Sequence, residues 1–208
     1  MPATLSAREA HRTKQAPRVP GVLPIFHERW SPRSFSGREV SRESLAHILE
    51  AARWAASSSN EQPWRYLVGV RGSSTYDRIF ASLVDSNQKW ARTAPVLMLG
   101  TALANFQSGK PNRFAFYDLG AATSYMTLEA ASLGLAAHQM AGYDQDKARE
   151  LLGIPSDCLT GSVIALGYQD DPEKLADERL IGMETSPRQR KPLREFVFEA
   201  WGKPLDLG

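Results

Sequence analysis

Residues 117–133 read YDLGAATSYMTLEAASL and predict a long helix. Its apolar residues recur at helical spacing but occupy more than one face, so this helix has to be covered on several sides. Gly134 follows directly, and glycine is common just past the end of a helix. We therefore expect this helix to lie in the core or against a second subunit.

The segments around this helix predict a mixture of strands and helices. A helix begins after Ser41, where apolar residues recur at helical spacing, and the polar residues 57–60 end it. Because strands and helices follow one another without regular alternation, we predict the α+β class, with a central mixed β-sheet flanked by helices. Strands are predicted over residues 66–71, 95–99, 136–141 and 160–168, and short helices after Asp144 and over residues 171–178.

The chain divides into an arm and one domain. Residues 1–24 are polar and carry four prolines, which predicts an extended polar arm. Residues 25–208 then form a single domain with a C-terminal tail. That tail is basic after Pro187 and then apolar, with Phe196, Phe198 and Trp201, so it has to cover its own core or that of a partner.

Composition excludes several classes of protein. The chain has 208 residues, of which 42% are hydrophobic and 23% charged, as in ordinary globular domains. The formal net charge is only +2, and the basic excess lies in residues 1–24, so we expect no nucleic-acid partner. No apolar stretch reaches the roughly 20 residues of a membrane helix, and no secretory signal is recognisable. Cys158 is the single cysteine, and a cytoplasmic protein is therefore predicted.

Common catalytic motifs are missing from the sequence. It contains no GxxxxGK[ST] phosphate loop, no GxGxxG after a predicted strand and no GxSxG around a nucleophilic serine. The four histidines are scattered, without the spacing of metal ligands. We therefore predict no metal site and no catalytic nucleophile from the protein.

Two arginine-rich segments stand near the two ends of the domain. Residues 29–35 read RWSPRSF, and residues 188–193 read RQRKPL. Alternate residues of an extended chain point the same way, so the arginines of each segment can face one spot. Guanidinium groups bind a terminal phosphate well where no glycine loop supplies amide donors. The alternative is that these arginines are solvated surface residues.

A third segment, SSSNEQPW at residues 57–64, precedes a predicted strand. Asn60 and Gln62 each offer a carbonyl acceptor and an amide donor. Such a pair matches a ligand edge with alternating donors and acceptors, for example the pyrimidine edge of a flavin. The alternative is a polar loop that only ends a helix.

Taken together, R-x-S-x-R-x-F, S-x-x-N-x-Q-P-W and R-x-R-K-P-L resemble the FMN-dependent nitroreductase family in order and spacing. The resemblance covers roughly residues 24–200. Residues 118–122 and 133–143 also resemble that family's long interface helix and flavin-facing strand end. The resemblance implies a nitroreductase-like homodimer that shares its domains, binds FMN at the subunit interface and has its C-terminal tail over the partner subunit.

The resemblance also implies roles for the arginines and a serine. Arg29 and Ser31 would bind the FMN phosphate and the ribityl end. Arg33 would lie near flavin N1 and the C2 carbonyl, where its charge would support flavin reduction. Arg188 and Arg190 would complete the phosphate clamp.

Four further residues acquire roles from the same resemblance. Asn60, with Gln62 beside it, would bond the pyrimidine edge or the ribityl chain. Ala141 would offer its backbone N–H to flavin N5, and Gly142 would permit a close approach to the ring.

The implied activity is electron transfer from NADH or NADPH to an electron-poor small molecule, such as a nitroaromatic or a quinone, by a ping-pong mechanism. Two positions depart from the family pattern: Trp30 replaces a frequent basic residue, and Ala56 replaces a frequent proline. Because of the second departure, the resemblance does not predict the shape of the substrate pocket. Alternatives are other flavin chemistry on this scaffold (dehalogenation, dehydrogenation or flavin breakdown) and a non-catalytic flavin carrier.

Overall fold

A computed structural model of the chain describes residues 5–207. In chain order its helices and strands are α1 (Ala7–Lys14), α2 (Pro24–Glu28), α3 (Arg42–Arg53), β1 (Trp64–Val70), α4 (Ser74–Ser82), α5 (Asp85–Ala91), β2 (Val96–Leu103), α6 (Ala115–Ser132), β3 (Ala136–Met140), α7 (Gln145–Leu152), β4 (Cys158–Gly167), α8 (Glu178–Thr185), β5 (Phe198–Ala200) and β6 (Lys203–Pro204).

The central sheet has the strand order β1-β2-β4-β3. All three pairings are antiparallel, with Leu67 opposite Leu99 and His138 opposite Ala165. The predicted α+β class with helices around a central sheet is confirmed. The sheet differs from the predicted mixed one because strand direction depends on the connections, which the apolar pattern of a single strand does not encode.

Strands β2 and β4 lie in the middle of the sheet and contribute to two apolar layers. On one face, Met98 and Ile164 belong to the same buried cluster as Met126 of α6, and all three are 0% exposed. On the other face, Leu97 and Val163 belong to a second buried cluster. Alternate residues of each strand thus point to opposite layers, as a sheet covered on both faces requires.

Helix α6 confirms the predicted long helix, and only part of its surface is covered within the chain. Ala122, Met126 and Ala130 are 0% exposed against the sheet. Tyr117 and Tyr125 are 78% and 47% exposed. The helix therefore packs on its own core along one side and presents aromatic side chains on another.

Local caps set the bounds of the predicted helices. The Ser41 hydroxyl accepts a hydrogen bond from the backbone N–H of Ser44 at 3.0 Å, which begins α3 as predicted. Asp144 caps α7 in the same way, and Gly153 ends that helix in the left-handed region with φ 64°.

The helix predicted over residues 171–178 is instead a short 3-10 turn, Pro172–Leu175, followed by α8. Ala176 adopts a positive φ of 50°, which breaks the helical path. Asp177 then caps α8 by accepting from the N–H of Leu180 at 3.1 Å. The second helix was not predicted because this cap signal lies inside the predicted element.

The prediction of an extended arm over residues 1–24 is wrong for residues 7–14, which form α1; residues 1–4 lie outside the described residues. Ser6 and Glu9 form a reciprocal capping box at its start. Ala10 is 0% exposed, and the N–H of Ala7 donates to Asp171 Oδ1 at 2.6 Å. The arm is therefore docked on the domain by a helix whose cap signal was present in the sequence.

The C-terminal tail forms a small hairpin of β5 and β6. Two of its aromatic residues stay open to solvent within the chain, since Phe196 is 58% and Trp201 is 98% exposed. The tail therefore leaves these two aromatic side chains uncovered by the chain's own core.

Among residues 5–207, no helix combines the length and apolar character needed to cross a lipid bilayer.

Candidate functional site

The segment of residues 29–35 runs as extended chain beside the edge strand β3. Pro32 disfavours helix in the residue before it, so the chain stays extended after α2. Trp30 is 6% and Ser34 1% exposed, and both point inward. Arg29 and Arg33, at the odd-numbered positions of the segment, are half-buried. This alternation puts the arginines on the outer side of the segment, as predicted for extended backbone.

Arg188 returns from the far end of the chain to this segment. Its Nη1 donates to the main-chain oxygen of Arg29 at 2.5 Å, and its Nη2 donates to the main-chain oxygen of His27. Its Nε is buried and has no hydrogen-bond partner among the described residues. Arg29 in turn donates from Nη1 to the Ser31 hydroxyl at 3.2 Å. The two predicted arginine segments therefore meet.

Arg29, Arg188 and Arg190 form what we call the arginine cluster. Burial lowers the pKa of Arg29, and the charge of Arg190 lowers it further. Burial likewise lowers the pKa of Arg188, followed by the charges of Arg29 and Arg190. No carboxylate within residues 5–207 forms an ion pair with any of the three. Three like charges thus converge, none with a carboxylate partner among the described residues, and guanidinium groups so placed are suited to bind an anion.

Arg33 does not belong to this cluster. Its backbone N–H donates to Glu184 Oε2 at 3.1 Å, and its Nη1 pairs with Glu184 Oε1 at 3.4 Å. The Arg33 side chain is 21% exposed, whereas Glu184 is fully buried. Arg33 is therefore a paired cation with a partly open guanidinium.

His138 of β3 supports residues 29–35, which we call the motif segment. Its Nδ1 lies 2.9 Å from the main-chain oxygen of Pro32, and since a carbonyl can only accept, Nδ1 carries the hydrogen. Burial, then the charge of Arg33, lowers the pKa of His138 to about 4. His138 is thus a neutral, buried residue that fixes the backbone between the arginines.

A cavity of about 190 Å³ adjoins the arginine cluster at Arg29. Thr127 of α6 and His11 of α1 also line it. The indole N–H of Trp30 donates to His11 Nδ1 at 3.3 Å, so α1 forms one wall of this space. The sequence offered no signal for His11, because its place depends on how α1 docks.

The loop that carries Asn60 and Gln62 has unusual backbone geometry. Ser59, Asn60 and Gln62 all have positive φ, of 54°, 55° and 51°. Each such residue costs of order 1 kcal/mol or more and persists only where the surroundings hold it. The hydroxyl of Ser57 accepts from the N–H of Gln62 at 3.0 Å and closes the loop. Strain of this kind is typical of functional segments.

Asp118 anchors this loop to α6. Its Oδ2 accepts from the N–H of Ser58 at 3.1 Å, and the residue is 2% exposed. Within residues 5–207, no hydrogen bond or ion pair joins the loop to the arginine cluster. Asn60 and Gln62 are both exposed, and the Gln62 amide donates to the Asn60 main-chain oxygen at 3.0 Å. Within one chain, the described hydrogen bonds and ion pairs therefore do not connect Asn60 and Gln62 to the arginine cluster.

Ala141 and Gly142 follow the end of β3. Ala141 is exposed, and the pairing with β4 ends at the preceding residue, Met140. A Cβ on Gly142 would lie 2.5 Å from Nδ2 of Asn87, which itself donates to the Gly142 main-chain oxygen at 2.9 Å. The structure thus explains this glycine by the close approach of Asn87, whereas the sequence predicted the approach of a flavin ring.

Other chemical groups in the described part of the chain suggest no different site. Residues 5–207 contain no group of three or more His, Cys, Asp or Glu side chains arranged to hold a metal ion. Cys158 is buried, and burial raises the pKa of its thiol, as for a packed residue. Besides His11, the sequence analysis gave no role to Asp118, Glu184 and Asn87, each of which acts through a contact with a distant segment.

Comparison with known proteins gives a consistent result. The model of the Nitroreductase family matches residues 27–168. A 15.4 kDa protein of Mycolicibacterium smegmatis, named only by the genomic region of its gene, is 35% identical over 68% of this chain and 99% of its own. A protein of Archaeoglobus fulgidus, provisionally named NADH dehydrogenase/NAD(P)H nitroreductase, is 32% identical over 76% of this chain and 91% of its own. A crystal structure described as an oxidoreductase containing FMN is 35% identical, covers 89% of this chain and 94% of its own, and superposes with a TM-score of 0.81.

Proposed function

This chain belongs to the nitroreductase family, and we propose that it is an FMN-dependent oxidoreductase that transfers electrons from NADH or NADPH to an electron-poor small molecule. A nitroaromatic or a quinone is the expected class of acceptor. The related structure described as an oxidoreductase containing FMN supports the choice of cofactor. The relative provisionally named NAD(P)H nitroreductase supports the choice of electron donor.

The arginine cluster is the observation that carries this proposal. A phosphate monoester has close to two negative charges at neutral pH and three acceptor oxygens. Arg29, Arg188 and Arg190 supply three guanidinium groups with no carboxylate partner among the described residues, and Arg188 Nε is buried without an acceptor. The residues present therefore fit the phosphate end of FMN.

The remaining site residues would hold the rest of the cofactor. Ser31 lies beside Arg29 and would bind the ribityl end. Arg33 would support the ring by its charge, Asn60 and Gln62 would bond the pyrimidine edge or the ribityl chain, and Ala141 would offer a backbone N–H. When bound, FMN would supply the redox chemistry, taking two electrons from the nucleotide and giving them to the acceptor in a separate half-reaction. The protein supplies placement and charge.

A homodimer would complete this site. In one chain the loop of Asn60 and Gln62 is fixed to Asp118 and shares no hydrogen bond with the arginine cluster, so a second copy would bring the two groups together. The exposed aromatic side of α6, with Tyr117 at 78%, and the open C-terminal tail offer surfaces for that contact. Sedimentation velocity of the FMN-loaded protein is expected to give a dimer. A stable loaded monomer would contradict the shared site.

The reducing cytoplasm remains the predicted compartment. Cys158 is the single cysteine of the sequence and is buried as a free thiol, so the fold uses no disulfide.

Anaerobic titration tests the proposed activity. The purified protein is expected to be yellow and to release FMN on denaturation. Its flavin absorbance should bleach with NADH or NADPH and recover when a quinone or a nitroaromatic is added. Bound FMN that neither nucleotide bleaches would instead indicate a flavin carrier, and protein that binds no FMN would contradict the proposal altogether.

A further inference from the structure

Glu184 is a buried carboxylate that contacts the motif segment. It lies on α8, is 0% exposed and receives two hydrogen bonds from Arg33, from the backbone N–H at 3.1 Å and from Nη1 at 3.4 Å. A carboxylate removed from water is costly unless it is paired and hydrogen-bonded. Arg33 therefore satisfies Glu184, and Glu184 in turn fixes both the backbone and the side chain of Arg33.

Lys14 brings a second cation to the same place. It lies on α1, is 7% exposed, and its Nζ donates to the main-chain oxygen of Met183, the residue before Glu184. Burial lowers the pKa of Lys14 and raises the pKa of Glu184, and the charge of each residue opposes the shift of the other. The Lys14 Nζ also lies 5.4 Å from the centroid of the Trp30 ring. Glu184 thus has two cations near it, Arg33 as its ion-pair partner and Lys14 on the main-chain oxygen of the preceding residue.

The charged residues Lys14 and Glu184 lie outside the segment that the family model matches. That segment covers residues 27–168 and includes Arg33, whereas Lys14 and Glu184 both lie outside it. The helices α1 and α8 that carry them are in contact with each other. The charge around Arg33 is therefore set by parts of this chain beyond the matched segment.

We propose that Glu184 and Lys14 are positioning residues that hold Arg33 and set the net charge it presents to the flavin. The inference rests on the proposed function, in which Arg33 supports the flavin ring. A cation beside a flavin raises its reduction potential, because the added electrons are stabilised by positive charge. Glu184 would weaken that effect, and Lys14 would weaken the influence of Glu184.

The reduction potential of the FMN-loaded protein tests this inference, measured by anaerobic titration against redox dyes. Glu184→Gln keeps an acceptor for the Arg33 N–H but removes the negative charge. We expect it to raise the equilibrium constant of two-electron reduction about tenfold, which is about 30 mV. Lys14→Met is expected to shift the potential in the opposite direction. Glu178→Gln removes the same charge from an exposed position on α8 and should leave the potential unchanged.

The outcomes separate this inference from the proposed function. A loaded Glu184→Gln protein with the potential of the wild type would overturn the inference alone, because a merely structural ion pair does not move a potential. Should Glu184→Gln fail to fold, Lys14→Met decides: a lowered potential supports the inference, and an unchanged one refutes it. Wild-type protein that binds no FMN would overturn the proposed function, and this inference with it.

Discussion

Arg188 donates from Nη1 to the main-chain oxygen of Arg29 at 2.5 Å, although 159 positions separate the two residues. The same guanidinium also donates to the main-chain oxygen of His27. Arg188 thus shapes the start of the motif segment, while its Nε stays buried with no hydrogen-bond partner in the part of the chain that the structure describes. One side chain joins the two ends of the domain and contributes charge to the arginine cluster.

Arg188→Ala is expected to weaken FMN binding about tenfold to a hundredfold, since hydrogen bonds to charged groups contribute about 1.5–3 kcal/mol. Riboflavin, which lacks the phosphate, should lose much less affinity. Fluorescence titration with each flavin gives the two dissociation constants. Arg194→Ala removes an exposed arginine nearby and should change neither. Equal losses for FMN and riboflavin would argue against a phosphate contact.

Asp118→Ala is expected to perturb the loop of Asn60 and Gln62 and to leave the contacts with the FMN phosphate unchanged. It leaves the N–H of Ser58 without its acceptor and releases a loop whose Ser59 has a strained backbone. We expect FMN and riboflavin to lose affinity equally, each by about tenfold. Asp118→Asn retains an acceptor and serves as the matched control. A loss confined to FMN would assign Asp118 to the phosphate site instead.

Arg33→Ala is expected to lower the free energy of unfolding by about 3 kcal/mol, because it removes the ion pair of the buried Glu184 carboxylate. Adding Glu184→Gln should recover at least half of that loss. Urea denaturation of both variants measures the effect. The exposed pair of Arg18 and Glu28 is the control, and Arg18→Ala should cost less than about 1 kcal/mol. A double variant no more stable than Arg33→Ala would refute the buried pair.

His138 predicts a loss of stability in mild acid. Burial lowers its pKa from 6.5 to about 4 in the folded protein, so the unfolded chain binds the proton first as the pH falls. Stability from this group is present above pH 6.5 and declines as the pH approaches 4, by at most about 1.4 kcal/mol per unit. His138→Asn keeps a donor for the Pro32 oxygen and should lose about 2 kcal/mol less than wild type between about pH 7 and about pH 5. Urea denaturation at both pH values compares them; parallel losses would exclude His138 as the cause.

Gly142→Ala should destabilise the fold by about 1–3 kcal/mol, because its methyl group would overlap Nδ2 of Asn87. The Asn87 amide is held by its bond to the Gly142 main-chain oxygen, so it has little freedom to move. Thermal unfolding followed by circular dichroism measures the change. Gly182→Ala has no atom within 4 Å of the new methyl group and should be neutral or stabilising. Similar melting temperatures for both variants would mean that Asn87 adapts.

Local patterns predicted the elements that surround the site. Residues 117–133 predicted α6, which spans Ala115–Ser132, because helical periodicity and a following glycine act within a few positions. Asp144 and Gly153 predicted the bounds of α7 for the same reason. The extended form of residues 29–35 was also foreseeable, since Pro32 restricts its neighbour.

Other features depended on distant parts of the chain. Arg33 was predicted to lie near flavin N1 and the C2 carbonyl, but its pairing with a carboxylate 151 positions away was not predicted. The sequence contains the capping box of α1, but no pattern in it indicates that α1 docks on α8. The sequence predicted that Gly142 permits a close approach of the flavin ring, and the structure shows that Asn87 also approaches it closely.

The sequence by itself determined the α+β class, most of the core elements and the three polar segments, because these follow from periodicity, caps and residue chemistry over short spans. Only the tertiary structure decided that Arg29, Arg188 and Arg190 converge with no ion-paired carboxylate among residues 5–207, while Arg33 is paired with Glu184. Whether a charge is free or paired depends on distances between segments far apart in the chain, and the packing of α1, α8 and β3 sets those distances.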